Sequence, residues 1–181
     1  MKRWALVLSA ALLTGTFQAE VGAHEQTKSS TTITKAVAVL QPASSSMVHG
    51  VVTFTKVEGG VRVVADIEGL TPGEHGFHVH EFGDCSAASA ASAGGHFNPH
   101  NAPHGGPESE HHHEGDLGNI TADDSGKAHY DRVNKMIELG GPESILGRSV
   151  IVHEKADDLQ SQPTGNAGAR VACGLIGVAR P

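Results

Sequence analysis

Six histidines and one aspartate constrain this chain more than its other residues do, because their spacing suits two adjacent metal ions. Imidazole is the protein ligand used most often for metals such as copper and zinc. The set therefore restricts the chain to folds that bring distant residues to one place. Its members are His78, His80, His96, His104, His113, Asp116 and His153.

Composition and patterning favour short strands over helices. The chain has 181 residues, which suits one domain, with 23 glycines, 4% aromatic residues and no long helical periodicity. Apolar runs and partial alternation predict strands that are separated by glycine-containing turns, such as those at 58–60, 71–73 and 123–126. The predicted strands are 36–40, 48–57, 61–67, 76–82, 117–121, 128–133, 136–139, 149–152 and 172–178.

Two long segments lack strand patterning, at 84–112 and 154–170. A loop of that length in a compact domain is either disordered or functional, and the ligand candidates within the first favour function. We expect an all-β fold of about eight antiparallel strands, a Greek-key β-barrel or sandwich resembling the immunoglobulin type, with two long functional loops.

The N-terminus reads as a secretory signal. Lys2 and Arg3 precede an apolar run, and small residues around Ala23 fit a cleavage site, with Ala19 as a second candidate. An uncleaved anchor is the alternative, although the run is short for a bilayer. We expect a signal peptide at 1–23, a flexible lead-in at 24–31 and one domain at 32–181, with no membrane segment in the mature form.

The charge disfavours nucleic acid as a partner. The net charge is −7 for the whole chain, and cleavage after Ala23 leaves 11 basic and 19 acidic residues. Export also favours a disulfide between Cys85 and Cys173, which are 88 positions apart, and the alternative is two free buried thiols.

The ligand types divide into two sites. His78 and His80 lie two positions apart on one predicted strand, so their side chains face the same side. Such a pair alone could simply belong to a polar face of the strand. Four imidazoles suit copper, and three imidazoles with one carboxylate suit a closed structural zinc site. Seven ligands serve eight positions if one imidazole bridges the metals. A dinuclear zinc hydrolase is an alternative, but such a site would use more carboxylates and an open water position. Asp116 is the only carboxylate among the seven candidates, which disfavours a hydrolase.

Five ordered motifs resemble the copper/zinc superoxide dismutase family, and the match is collinear from about residue 32 to the C-terminus. The placement of Cys85 directly after Gly83 and Asp84 resembles exported bacterial members. The motifs are GFHVHEFGD at 76–84, GHFNP at 95–99, HEGDLGN at 113–119, VHEKADDL at 152–159 and GNAGARVACG at 165–174.

The resemblance implies a role for each site residue. His96 would bridge the two metals, Asp157 would link His78 to His104, and a Cys85–Cys173 disulfide would hold the first long loop to the barrel. Copper would be held by His78, His80, His96 and His153. Zinc would be held by His96, His104, His113 and Asp116.

The resemblance also implies the reaction, in which two superoxide ions give dioxygen and hydrogen peroxide. Copper would be reduced and reoxidised in turn, His96 would deliver a proton, and Arg170 would dock the anion. Since the loop at 155–170 is shorter and poorer in charge than in familiar eukaryotic members of the family, we expect Arg170 to carry more of the steering here. This implies antioxidant defence outside the cytoplasm, periplasmic or secreted. A non-catalytic exported copper/zinc-binding module is the alternative, and a homodimer is left open.

The remaining histidines have weaker assignments. We expect exposed positions for His49 and His129, and a structural role for His75 by resemblance. A solvated position is expected for His24, His100, His111 and His112. The alternative for His111 and His112, which adjoin His113, is that the triplet helps to capture metal.

Overall fold

A computed structural model describes Met1 and residues 32–181 of the chain. The signal peptide expected at 1–23 and the lead-in expected at 24–31 lie outside the described residues, apart from Met1. The fold below is that of one compact unit, Thr32–Pro181. Within the part of the chain that is described, no helix has both the length and the apolar character needed to cross a bilayer.

Eight antiparallel strands close into one barrel in the order β1-β2-β3-β6-β5-β4-β7-β8. This confirms the predicted fold class. A short 3₁₀ helix, Ala91–Ala93, lies in the first long loop. The strands are β1 Lys35–Pro42, β2 His49–Val57, β3 Gly60–Glu68, β4 Gly73–His80, β5 Asp116–Ala122, β6 Ala128–Asn134, β7 Ser149–His153 and β8 Arg170–Val178.

The barrel forms around alternating apolar side chains. On β3, Val61 and Val63 are buried while Arg62 between them is exposed, as a period of two requires. In the core, the Phe77 ring packs edge-on against Tyr130, with ring centroids 5.2 Å apart. The hydroxyl of Tyr130 is satisfied because it donates a hydrogen bond to the Leu117 carbonyl at 3.0 Å.

The strand predicted at 136–139 is wrong. This segment takes part in one isolated bridge, Glu138 with Ser144, and lies in the connection between β6 and β7. Its alternation arises because Ile137 and Leu139 are buried in the core cluster while the residues between point outward. The side chains therefore anchor a loop and do not extend the sheet.

The two long loops are fixed against the barrel. Cys85 and Cys173 form a disulfide with an S–S distance of 1.98 Å, which confirms the predicted pairing and ties the start of the first loop to β8. In the second loop, Glu154 and Lys155 donate backbone hydrogen bonds to Ala169 and Ala167 at 2.8 and 2.9 Å. Gly76 on β4 donates to the Lys155 carbonyl at 2.8 Å, and Phe97 in the first loop donates to the Val79 carbonyl at 2.8 Å, so both loops are fixed against β4.

Candidate metal centre

Strand β4 positions the first two histidines. His78 and His80 are both completely buried, although they lie on the face of the strand opposite the core residues Phe77 and Val79. Buried polar side chains on that face are possible because the two long loops cover it. Gly76 keeps the cover close, since a Cβ there would lie 2.8 Å from the Ala167 Cβ.

Four histidines form the first cluster, with one ligand atom of each within 4.8 Å of the others. His78 Nε2 lies 2.8 Å from an Asp157 oxygen, His80 Nδ1 lies 3.1 Å from the Gly94 carbonyl, and His153 Nδ1 lies 3.3 Å from the Gly168 carbonyl. These contacts direct the other nitrogen of each ring to the shared centre. There the Nε2 atoms of His80 and His153 are 3.4 Å apart. The cluster consists of His78, His80, His96 and His153.

Three histidines and an aspartate form the second cluster, which consists of His96, His104, His113 and Asp116. The Nδ1 atoms of His113 and His96 are 3.4 Å apart, and Asp116 oxygens lie 3.2 Å from His113 Nδ1 and 3.1 Å from His104 Nδ1. Ligands about 2.0 Å from a tetrahedral zinc ion lie about 3.3 Å from one another. The spacing of this cluster therefore suits zinc.

His96 belongs to both clusters. Its Nδ1 lies 2.7 Å from Asp116 Oδ1 in the second cluster, while its Nε2 is buried without a hydrogen-bond partner and belongs to the side of the first. Its ring is 4.0 Å from that of His78, centroid to centroid. One imidazole thus lies between two ligand sets.

Asp157 connects the clusters from behind. Its two carboxylate oxygens lie 2.8 Å from His78 Nε2 and 3.0 Å from His104 Nε2. Asn119 holds the backbone of this aspartate by accepting from the Asp157 N–H at 2.8 Å and donating to its carbonyl at 2.9 Å. The aspartate is therefore fixed before any metal binds, and it fixes one ring in each cluster.

Burial keeps most of these imidazoles neutral. It lowers the pKa of His96 to about 4 and of His153 to about 2, and it lowers the pKa of His80 well below the usual value. His104 differs, because hydrogen bonds to Asp116 and Asp157 outweigh the effect of burial and raise its pKa to about 9. Hydrogen bonds from three histidines likewise outweigh burial and hold the pKa of Asp116 far below its usual range.

The nitrogen atoms themselves test whether metals fit. His78 Nδ1 and His96 Nε2 are buried and have no hydrogen-bond partner. Unsatisfied buried polar atoms are costly, and neutral imidazole lone pairs that converge on one point are what a metal ion requires. Both donor sets therefore fit metal ions, one through four nitrogens and the other through three nitrogens and one carboxylate.

Arg170 lies at the edge of the first cluster. Its guanidinium donates to the Ala90 carbonyl at 2.7 Å and to the Gly94 carbonyl at 2.6 Å. Gly94 is also the acceptor beside His80, and the charge of Arg170 lowers the pKa of His80 and His153 after larger effects. The half-buried cation is thus held close to the histidines.

Some histidines differ from the sequence expectations. His112 is buried and not solvated, with Nε2 3.2 Å from the Pro107 carbonyl, because the loop folds back over it. His75, in contrast, is buried as its expected structural role requires, with Nδ1 2.8 Å from the carbonyl of His153. His49, His111 and His129 are exposed. Neither His111 nor His112 belongs to any ligand cluster found among residues 32–181.

Sequence reasoning missed a third cluster, formed by His100, Glu114 and Glu143. His100 was expected to be solvated, and its side chain is 60% exposed, but its Nε2 lies 2.9 Å from an oxygen of each glutamate. The 43 positions from His100 to Glu143 give no local spacing signal. The fold alone brings these residues together.

A closed β-barrel whose loops enclose two adjacent metal-ligand clusters with a shared histidine defines a dinuclear metalloprotein. The family model of copper/zinc superoxide dismutase matches residues 48–176. The chain belongs to that family, whose metals are copper and zinc and whose reaction is the dismutation of superoxide.

Two relatives illustrate the similarity. The extracellular superoxide dismutase (Cu-Zn) of Brugia pahangi is 46% identical over 159 residues, which cover 81% of this chain and 79% of the relative. A solved structure described as that of the clock protein EA4 has a TM-score of 0.76 and 47% identity, and the match covers 82% of this chain and 97% of that chain.

Proposed function

We propose that this superoxide dismutase uses the first cluster for copper and the second for zinc, with His96 as the shared ligand. The observation that carries the assignment is the pair of donor sets, one of four imidazoles and one of three imidazoles with a carboxylate. Copper would be held by His78, His80, His96 and His153. Zinc would be held by His96, His104, His113 and Asp116.

The metals and the chain would divide the work. Copper supplies the one-electron redox couple that the reaction needs, and zinc, which has no redox chemistry, supplies a fixed charge. The chain would bind the anion at Arg170, and His96 would carry a proton at Nε2 in the form in which that nitrogen does not hold copper. One superoxide ion loses an electron and leaves as dioxygen. The other gains an electron and takes up that proton and a second one from water, which gives hydrogen peroxide.

The test compares superoxide removal by the purified protein in metal-free and copper-and-zinc-loaded forms. We expect rapid removal by the loaded form and negligible removal without metal. Equal, negligible rates in both forms would support the alternative, a non-catalytic copper/zinc-binding module. A His96→Ala variant that holds copper should show how far the rate depends on this imidazole.

Arg170 provides a sharper test, because the mature chain is acidic and its substrate is an anion. Local positive charge raises association rates by roughly 10–10³-fold, so Arg170→Ala should reduce the rate at least about tenfold and flatten its dependence on salt. Arg170→Lys keeps the charge but not the two-carbonyl contact and should fall between. Arg180→Ala, an exposed arginine near the C-terminus, is the control. An unchanged rate and salt dependence in Arg170→Ala would disprove the steering role.

The export prediction concerns the N-terminal region. The basic start and apolar run of 1–23, the disulfide, and a relative whose name includes "extracellular" support export as a periplasmic or secreted protein. We propose cleavage after Ala23 or Ala19, a lead-in at 24–31 and a domain at 32–181. N-terminal sequencing of the mature protein distinguishes the two cleavage sites and would detect an uncleaved anchor.

Two further expectations concern partners. A homodimer stays a prediction, supported by exposed Val39, Val51 and Leu175 on the neighbouring strands β1, β2 and β8. Sedimentation analysis with and without a charge at Val39 would test it. The net negative charge supports the expectation that nucleic acid is not a partner. The resemblance of positions 83–85 to bacterial members also stays a prediction.

A further inference from the structure

Three side chains from separate segments converge where the first long loop and the β6–β7 connection meet. His100 Nε2 lies 2.9 Å from Glu114 Oε1 and 2.9 Å from Glu143 Oε1, and the three atoms are mutually within 4.8 Å. Glu114 directly follows His113, while Glu143 comes from the connection between β6 and β7. The cluster is therefore separate from the copper and zinc ligand sets, although it adjoins the segment that carries two zinc ligands.

Glu114 is a buried carboxylate with one oxygen that lacks a hydrogen-bond partner. Its side chain is 3% exposed, and its Oε2 atom is buried without a hydrogen-bond partner. A buried carboxylate is costly unless a cation or donors surround it, and here a second carboxylate faces the same histidine. An added positive charge would remove both problems.

The guanidinium of Arg148 makes its contacts elsewhere. The guanidinium of Arg148 lies over the Phe97 ring at 3.5 Å from its centroid and donates to the carbonyls of Ser144 and Glu81. Arg148 therefore makes no hydrogen bond to the unpartnered oxygen of Glu114, although Glu114 is close enough for its charge to act on the guanidinium. His100, by contrast, is exposed enough for an ion to reach the cluster from solvent.

We propose that His100, Glu114 and Glu143 form a third metal site, which binds one Zn²⁺ in addition to the copper and zinc of the family. One imidazole and two carboxylates are ligands that zinc accepts, and the open side leaves room for water. A hard cation such as Ca²⁺ prefers oxygen ligands throughout, so the histidine favours zinc. The bound ion joins the β6–β7 connection to the segment that precedes β5.

The experiment starts from the protein already loaded with one copper and one zinc, and measures further zinc uptake by equilibrium dialysis with metal analysis. Wild type should bind one more zinc per chain. His100→Ala and Glu143→Gln should each weaken that uptake by at least about tenfold, because even residues behind a ligand affect metal affinity by about 10–100-fold. Retained copper and first zinc show that the variants are folded.

His129→Ala is the matched control. His129 is also an exposed histidine beside a carboxylate, with Nδ1 2.7 Å from Asp66 Oδ1, but it has no second carboxylate partner among the described residues. Its uptake should equal that of wild type. No extra zinc in wild type, or an extra zinc that both site variants keep, would overturn the proposal. Uptake of Ca²⁺ that survives His100→Ala would overturn the zinc assignment.

Discussion

Four histidines of the two clusters present one particular nitrogen, because an acceptor holds the other: His78, His80, His104 and His153. His78 is held through Nε2 by Asp157, whereas His80 and His153 are held through Nδ1 by backbone carbonyls. This explains why ligands two positions apart on one strand use different ring atoms. The outer contacts decide which lone pairs converge, so residues that never touch metal control the site.

Asp157→Asn tests that control at a single residue. His78 and His104 contact different oxygens of Asp157, and in the amide one of these becomes an NH2 donor, so at least one ring loses its acceptor and with it orientation and basicity. We expect metal affinity to fall by about 10–100-fold, as measured by competition with a chelator of known affinity. Asp124→Asn, in an exposed turn, should leave affinity unchanged. Equal affinity in Asp157→Asn and wild type would show that the link is dispensable.

Gly165 tests the same link from the second loop. Its φ of +64° suits glycine, and an added Cβ would overlap Asp157 Oδ1 and lie 2.7 Å from His104 Nε2. Gly165→Ala should therefore displace the carboxylate and reduce zinc content at limiting zinc. Gly140→Ala, where a Cβ meets nothing within 4 Å, is the control. The interpretation fails if the two variants hold equal zinc.

At the scale of elements, alternation predicted most strands and misled once. β3 pairs along its whole length with β2, so its in-and-out pattern reflects a true sheet face. Segment 136–139 shows the same pattern because Ile137 and Leu139 reach into the core, although its backbone makes one isolated bridge. Periodicity reports which side chains are buried and does not report whether a neighbouring strand is available.

The metal-ligand clusters also differ in how far the sequence could predict them. Its candidate ligands stand in local motifs, such as His78 and His80 on one strand, so the chain itself carries the signal. The cluster of His100 with Glu114 and Glu143 lacks such a motif, since two loops meet only in the folded barrel. The burial of His112 was missed for a similar reason, because loop paths depend on tertiary contacts.

The disulfide provides a prediction for the first long loop. It closes 88 positions between Cys85 and β8, and chain-entropy arguments give such a bridge about 4–5 kcal/mol as an upper figure. A Cys85→Ser/Cys173→Ser double variant should lose up to that amount of unfolding free energy, measured in urea. Wild type under reducing conditions should match the variant, and a stable, unshifted double variant would show that other contacts fix the loop.

For the whole molecule, the barrel and the metal centre place opposite demands on burial. The core gains stability by excluding water from residues such as Phe54 and Phe77, whereas the same exclusion leaves buried imidazoles that cannot take up protons easily. Bound metal ions allow both, because they bind the imidazole lone pairs that burial keeps unprotonated. The metal-free barrel should therefore be the form that is sensitive to acid.

The stability of the metal-free protein should fall as the pH drops from about 6.5 to about 4. The unfolded chain protonates its histidines near pH 6.5, whereas burial lowers the folded-state pKa of His96 to about 4 and of His153 to about 2, so acid favours unfolding. His104, with a pKa raised to about 9, contributes fully below pH 6.5 and does not oppose this trend. His96 alone corresponds to about 3 kcal/mol by pH 4.

Urea unfolding of chelator-treated protein at several pH values between 7.5 and 4.5 measures this effect. The midpoint should fall with pH in wild type and fall less steeply in His153→Asn, which removes one buried imidazole. His49→Ala removes an exposed histidine and should keep the wild-type slope. Metal-loaded protein should resist acid until the pH is low enough for protons to displace its ligands from the metals. A constant midpoint in the metal-free protein would show that the buried imidazoles gain access to water before unfolding, and the link between burial and acid sensitivity would then be wrong.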